Sequence, residues 1–119
     1  MKILKLKEGK SFDMGKGKTI NVLSPEIGSK YITLNYSEFE PKQAFTQHIH
    51  KSSEDVIIIL KGSGYIRVEG KDYEIKEGDV VYIPAGEMHG TIAGDEPMVA
   101  ISCQAPPDMD LFTGVYNKK

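Results

Sequence analysis

The chain has 119 residues, of which 39% are hydrophobic and 27% are charged. This length and composition are ordinary for one globular domain. The formal net charge of -2 argues against a general affinity for nucleic acid, which needs a basic patch. No long apolar run follows the lysine-rich N-terminus, and no run approaches the roughly 20 residues of a membrane span. Cys103 is the only cysteine and excludes an internal disulfide, so the simplest expectation is a cytoplasmic protein that binds neither nucleic acid nor membrane.

Nearly every segment of the chain predicts a β-strand. Short runs rich in Val, Ile, Tyr and Thr are separated by Gly, Pro, Asp, Asn or Ser, which is typical of an all-β sandwich or barrel. No window of a dozen residues has convincing helical periodicity. The predicted strands are Lys2–Leu6, Thr19–Leu23, Lys30–Phe39, Ala44–His50, Asp55–Leu60, Gly64–Val68, Lys71–Ile75, Asp79–Ile83, Met88–Ile92 and Met98–Gln104.

Two of these strands have informative faces. The segment Val56–Leu60 is apolar on both faces, so we expect burial on both, with a second strand layer, a terminal segment or a partner subunit covering the outside. The strand Lys30–Phe39 has an apolar face and a polar face. Its polar face is either exposed to solvent or lines a polar cavity and consists of Thr33, Asn35 and Ser37.

The first block that indicates chemistry contains two histidines. His48 and His50 stand two apart on a predicted strand, so both side chains point to the same face, as two cis ligands of one metal require. A short turn leads to Glu54 and Asp55. Either carboxylate could reach back to the same ion, but strand parity turns them to opposite faces, so we expect only one to do so.

The second block contains the remaining histidine of the chain. Gly78 makes the turn into a strand, Pro84 ends it, and Gly86 permits the tight bend that aims His89. Three imidazoles and a carboxylate then converge from different strands. Neutral imidazole is the commonest protein ligand for transition metals, so the two blocks together predict a metal site.

These two blocks resemble the two sequence motifs of the cupin superfamily. They span residues 46–93, about two fifths of the chain. The resemblance implies an all-β double-stranded β-helix, a jelly-roll barrel. It also implies one cupin domain over residues 1–119, with a core barrel over about 25–105 and terminal segments packed on the barrel or on a partner. The matching positions are His48, His50 and Gly62 in the first motif, and Gly78, Pro84, Gly86 and His89 in the second.

The chain departs from the family pattern at two positions. The family's Glu corresponds to Asp55 when counted back from Gly62, and to Glu54 when counted forward from His50. Aspartate lacks one methylene and falls short by roughly 1.3–1.5 Å, so Asp55, Glu54 or a water is open as the fourth ligand. Ala93 replaces the closing Asn of the second motif, which removes a turn-stabilising side chain but no ligand.

The expected ligand set is His48, His50 and His89 with Asp55, or with Glu54 in its place. The expected cofactor is one divalent transition metal ion, and ligand type alone does not choose among Fe, Mn, Ni, Co, Cu and Zn. The resemblance implies a metal-dependent enzyme, an oxygenase, isomerase or lyase, acting on a small polar metabolite such as a sugar derivative or carboxylate. The alternative is a non-catalytic small-ligand-binding or sensory module. No catalytic acid or base is singled out.

Strand parity and the resemblance to small cupins give two further expectations. The cavity wall should include Thr46, Ile57 and Ile59, which share a face with the predicted ligands. The strand that is apolar on both faces predicts a homodimer, and the resemblance to small cupins, which usually form dimers, implies the same. The N-terminal strand is a candidate contributor to the interface. The possible substrate contacts, which the sequence does not rank, are Tyr36, Tyr65, Arg67, Tyr82 and Gln104.

Overall fold

The fold is given by a computed structural model, which describes residues 1–12, 18–44 and 47–107. These residues form nine strands and one 3-10 helix, Pro25–Ile27. The strands are β1 (Lys10–Phe12), β2 (Lys18–Leu23), β3 (Thr33–Phe39), β4 (Glu54–Lys61), β5 (Ser63–Val68), β6 (Lys71–Lys76), β7 (Val80–Ile83), β8 (His89–Ala93) and β9 (Met98–Ala105).

The strands make two antiparallel sheets. The larger has the order β1-β2-β3-β9-β4-β7, and the smaller has the order β6-β5-β8. From β4 onward the chain passes repeatedly between the two sheets, and isolated bridges join Ala44 and His48 to β8. This winding is a double-stranded β-helix, so the predicted all-β jelly-roll architecture is confirmed.

Alternation along the strands builds the core between the two sheets. In β4, for example, Ile57 and Ile59 point inward and are 6% and 1% exposed, because successive side chains of a strand point to opposite faces. Met98 at the start of β9 is fully buried between the sheets. The buried core comprises Phe39, Ile57, Ile59, Ile66, Ile75, Ile83, Ala93, Met98 and Ala100.

Strand β3 turns its polar face toward the inside of the barrel. Thr33, Asn35 and Ser37 are all buried, and the latter two line a cavity. The other face packs outside the barrel, where Tyr36 joins a second apolar cluster with Ile20 and Val22 of β2. Of the two alternatives for this strand, the polar cavity is therefore correct.

Two predicted strands differ in the structure, whereas the other eight overlap β2–β9, with bounds that differ by up to three residues. Lys2–Leu6 forms no strand, and Ile3 remains 81% exposed. The free edge of β2 is paired instead with β1, and a strand needs such an edge for its backbone hydrogen bonds. Ala44–His50 is not a continuous strand: it makes bridges at Ala44 and His48, and residues 45–46 lie outside the described part of the chain.

The described residues leave the outer face of β4 partly open, so its cover by a terminal segment or a partner subunit stays a prediction. Val56 and Ile58 are only partly buried, and Leu60 is 41% exposed. The described residues therefore bury this apolar strand fully on its inner face only. Across residues 1–12, 18–44 and 47–107, no helix has the length and apolar character needed to cross a bilayer.

Candidate metal centre

The structure brings all three histidines together inside the barrel. His48, His50 and His89 are 6%, 1% and 2% exposed. One ring nitrogen from each lies within 4.8 Å of those of the other two, and the ring centroids are 4.5–5.2 Å apart. Three buried imidazoles at this spacing could hold one metal ion.

The loop of the second motif is tied to the first motif by backbone contacts. Gly86 has φ = +86°, which a residue with a side chain adopts only at a cost. Its N–H donates to the carbonyl of His50 at 2.8 Å. The bend predicted at this glycine therefore exists, and it carries the chain back to His89 at the start of β8.

A backbone carbonyl orients the ring of His89. Nδ1 of His89 lies 3.0 Å from the carbonyl oxygen of Glu87. Because a carbonyl oxygen only accepts hydrogen bonds, this contact selects the neutral tautomer with the proton on Nδ1 and the lone pair on Nε2. Histidine ligands of metals are usually oriented by such a contact at the other ring nitrogen.

The two neighbouring carboxylates face opposite ways, as strand parity predicts. Asp55 is 3% exposed, and its Oδ2 lies 3.9 Å from Nε2 of His50 and 3.6 Å from Nε2 of His89. Glu54 is exposed and accepts a hydrogen bond from the Tyr82 hydroxyl. Asp55 is therefore the carboxylate beside the imidazoles, and ligation by Glu54 does not fit this arrangement.

The site chemistry fits a divalent transition metal ion. Oδ1 of Asp55 is buried and has no hydrogen-bond partner among the described residues. An isolated buried carboxylate is costly unless it is paired or coordinates a cation. Imidazole nitrogens and a carboxylate oxygen are the ordinary ligands of such ions, so these four side chains suit the expected cofactor.

A narrow cavity with a water-accessible volume of about 40 Å³ adjoins this cluster. None of its described lining residues is Lys or Arg. Apart from His48, Asp55 and His89, the lining consists of Phe12, Thr19, Asn35, Ser37, Phe39, Ile57, Thr91, Ala100, Ile101, Ser102 and Gln104. The polar part of this lining comes from four strands, β2, β3, β8 and β9, and the alternating pattern of β3 was the sequence signal for Asn35 and Ser37.

The charge of Asp55 acts on the outer side of β9 as well. Burial raises the pKa of the Cys103 thiol, and the negative charge of Asp55 raises it further. Cys103 is only partly buried and is not among the residues that line the cavity. A raised pKa keeps the thiol protonated, which does not favour a reactive cysteine.

The predicted cavity and substrate contacts have mixed outcomes. Ile57 and Gln104 line the cavity, whereas Ile59 belongs to the core and is not part of the lining. Thr46 falls outside the described residues. The remaining four candidates are absent from the described lining. Tyr36 is buried in the second apolar cluster, whereas Tyr65, Arg67 and Tyr82 lie at exposed or partly exposed positions.

Comparisons with known sequences agree with the motif resemblance. The family model for the cupin domain matches residues 35–103. Dimethylsulfoniopropionate lyase DddW from Ruegeria pomeroyi is 35% identical over 71 residues, which cover 60% of this chain and 46% of the lyase. Acireductone dioxygenase 4 from Oryza sativa subsp. japonica is 42% identical over 85 residues, covering 67% of this chain and 41% of the dioxygenase. The chain thus spans about half the length of the curated relatives it matches.

A solved structure extends the similarity in fold beyond the motifs. KdgF from Halomonas sp. superposes with a TM-score of 0.78 at 18% sequence identity, covering 93% of this chain and 98% of KdgF. At this identity the likeness concerns the fold alone. It covers more of the chain than residues 35–103, so most of the chain follows the architecture of that protein.

Proposed function

The chain belongs to the cupin family, and on this basis we propose that it is a metal-dependent enzyme, an oxygenase, isomerase or lyase, acting on a small polar metabolite. The observation that carries the proposal is the buried cluster of three imidazoles. His48, His50 and His89, with Asp55, would hold one divalent ion of Fe, Mn, Ni, Co, Cu or Zn.

The residues of the chain contribute by orienting the ligand and by placing an apolar wall beside it. A bound ion of this kind acts as a Lewis acid that polarises an oxygen atom of the ligand. The Glu87 carbonyl keeps the proton on Nδ1 of His89. The hydroxyls of Thr19 and Ser37, 3.3 Å apart in the cavity wall, offer hydrogen bonds that orient polar atoms of the ligand. Phe39 and Ile57 make part of the same wall apolar, which lowers the local dielectric constant and so strengthens these interactions.

The size of the cavity and the known relatives support the class of substrate and reaction. A water-accessible volume of about 40 Å³ is room for roughly three waters, so only a small molecule or one end of a larger one fits. The polar face of β3 favours a ligand with hydrogen-bonding groups. Two relatives are named as a lyase and a dioxygenase, which supports two of the proposed reaction types.

One observation favours the alternative, a non-catalytic small-ligand-binding or sensory module. Apart from His48, Asp55 and His89, none of the described residues lining the cavity has a titratable side chain. If these groups bind the ion, they leave no free acid or base in the described wall, although most such enzymes move a proton with one. A binding module needs only the shaped pocket.

Metal analysis tests the site. Protein purified without an affinity tag and loaded anaerobically with each candidate ion should contain one equivalent, measured by elemental analysis. The substitution His89→Ala should abolish this, whereas Met88→Ala at the exposed neighbouring position should not. Wild-type protein that takes up none of these ions contradicts the proposal.

A ligand screen separates the enzyme from the module. Small metabolites that raise the melting temperature of the metal-loaded protein are incubated with it and analysed by mass spectrometry. A new product, absent with His89→Ala, supports the enzyme, and a stabilising ligand recovered unchanged supports the module.

The last part of the proposal concerns assembly and location: the protein is a cytoplasmic homodimer and has no nucleic-acid or membrane partner. The outer faces of β4 and β7 support self-association, since Leu60, Val80 and Tyr82 are 41%, 64% and 56% exposed there. The net charge of -2 is consistent with the absence of a nucleic-acid partner. One domain over residues 1–119 stays a prediction, because residues 108–119 lie outside the described part of the chain.

A further inference from the structure

The carboxamide of Gln104 lies against the histidine cluster. This side chain on β9 is 3% exposed, and its Nε2 is 3.1 Å from Nε2 of His50. The other end of the amide, Oε1, is buried and has no hydrogen-bond partner among the described residues. Gln104 is also the cross-strand neighbour of Asp55, so both side chains reach the same end of the barrel.

The position of the amide fits that of a metal ligand. Two ligand atoms about 2.0–2.2 Å from one ion and at right angles to each other lie roughly 3 Å apart. The separation between the Gln104 amide and Nε2 of His50 is 3.1 Å. Turning the carboxamide end for end exchanges Nε2 and Oε1 without moving the backbone. An acceptor oxygen then occupies the position beside the His50 ring nitrogen.

We propose that Gln104 supplies its amide oxygen to the ion held by His48, His50 and His89, an inference that rests on the proposed metal site. The chain has Asp55 where the family motif has Glu, and the shorter side chain places its Oδ2 at 3.9 Å from His50. Gln104 has one methylene more and comes from the adjacent strand. It therefore compensates for the reach that Asp55 lacks.

Metal affinity in a small set of variants tests this role. Co(II) is titrated into the metal-free protein, and its visible absorption gives both the Kd and the ligand geometry. Gln104→Leu should weaken binding by about 10-fold or more and change the Co(II) spectrum. Gln104→Glu keeps an oxygen at the same reach and should bind at least as tightly as the wild type. Cys103→Ala, one residue away on the outer face of β9 and outside the cavity lining, should leave both readouts unchanged.

The competing roles of Gln104 give different patterns. If Gln104→Leu binds Co(II) as tightly as the wild type, or more tightly, the inference is overturned, because the amide then only competes for the His50 lone pair. If Gln104→Glu loses affinity as Gln104→Leu does, the amide N–H rather than the oxygen is needed, which also overturns it. Should Gln104→Leu fail to fold by thermal melting, Gln104→Asn gives the same test by shortening the reach. No Co(II) binding by the wild type contradicts the proposed metal site itself.

Discussion

His48 and His89 exchange both of their backbone hydrogen bonds, each N–H donating to the carbonyl of the other at 2.9 Å. This isolated antiparallel bridge joins the two sequence motifs directly at their histidines, and the ring centroids lie 4.5 Å apart. The backbone therefore sets the separation of the two imidazoles before any ligand arrives. Such preorganisation lowers the ordering cost of binding.

The first prediction concerns Asp55, whose buried charge should favour metal binding at the expense of the metal-free fold. Asp55→Asn removes the charge with little change in volume. We expect metal affinity to fall by about 10-fold or more, as for the loss of a ligand or its close support. We expect the metal-free protein to be as stable or more stable, since an uncompensated buried charge is destabilising.

Zn(II) titration and urea unfolding of the metal-free protein measure these two effects. Glu54→Gln at the exposed neighbouring position is the control and should leave the affinity unchanged. Unaltered affinity in Asp55→Asn would remove Asp55 from the site.

Local sequence patterns predicted much of the site, because they fix which face a side chain occupies. Strand parity separated Asp55 from Glu54 and predicted that His48 and His50 lie together. The structure shows both relationships, although His48 forms an isolated bridge rather than part of a continuous strand. The bend that brings in His89 followed from the conformational freedom of Gly86. Each of these features depends on residues a few positions apart.

Features that depend on register could not be predicted in the same way. Gln104 meets His50 because β9 pairs with β4 in one particular register, with Gln104 opposite Asp55. Register is a property of two distant segments, and neither segment encodes it alone. The prediction for Lys2–Leu6 shows the same limit: its pattern suits a strand, but the edge of β2 pairs with β1 instead.

The second prediction compares two glycines with the same backbone conformation. Gly62 and Gly70 both have φ = +81°. A Cβ on Gly62 would lie 2.2 Å from the carbonyl oxygen of Pro97, whereas a Cβ on Gly70 has no atom within 4 Å. Gly70→Ala should cost about 1–2 kcal/mol for the left-handed conformation alone. Gly62→Ala should cost clearly more, because backbone must also move.

Urea unfolding of the two metal-free variants gives the comparison. Equal losses in stability would show that the close approach of Pro97 has no energetic consequence.

The third prediction uses the pair formed by Tyr36 and Glu38. The Tyr36 hydroxyl donates to Oε2 of Glu38 at 2.7 Å. Burial, and then this hydrogen bond, raise the pKa of Tyr36 to about 12 from 10.0. The same bond, helped by nearby lysines, lowers the pKa of Glu38.

The two shifts act at opposite ends of the pH range. The raised pKa of Tyr36 gives stability that is fully present below pH 10.0 and lost as the pH rises toward about 12. The lowered pKa of Glu38 gives stability that is present above the ordinary carboxyl pKa and lost as the pH falls through the folded-state value.

Tyr36→Phe should lower the free energy of unfolding by about 1 kcal/mol near neutral pH. It should also weaken the dependence of that free energy on pH at both the acidic and the alkaline end. Urea unfolding across the pH range measures this, with Tyr31→Phe at a 67% exposed position as the control. An unchanged profile in Tyr36→Phe would contradict the assignment.

The last prediction concerns the apolar outer face of β4 and β7. Val80 is 64% exposed beside Leu60 and Tyr82 of the same face. In a two-fold dimer each residue enters the contact twice, so Val80→Lys would bring two charges into one apolar interface. We expect the wild type to be a dimer by light scattering, and Val80→Lys to shift it toward the monomer with unchanged metal content. Tyr73→Lys, at a 48% exposed position on β6 in the smaller sheet, should remain a dimer. A monomeric wild type, or a Val80→Lys dimer of undiminished strength, would exclude this face as the interface.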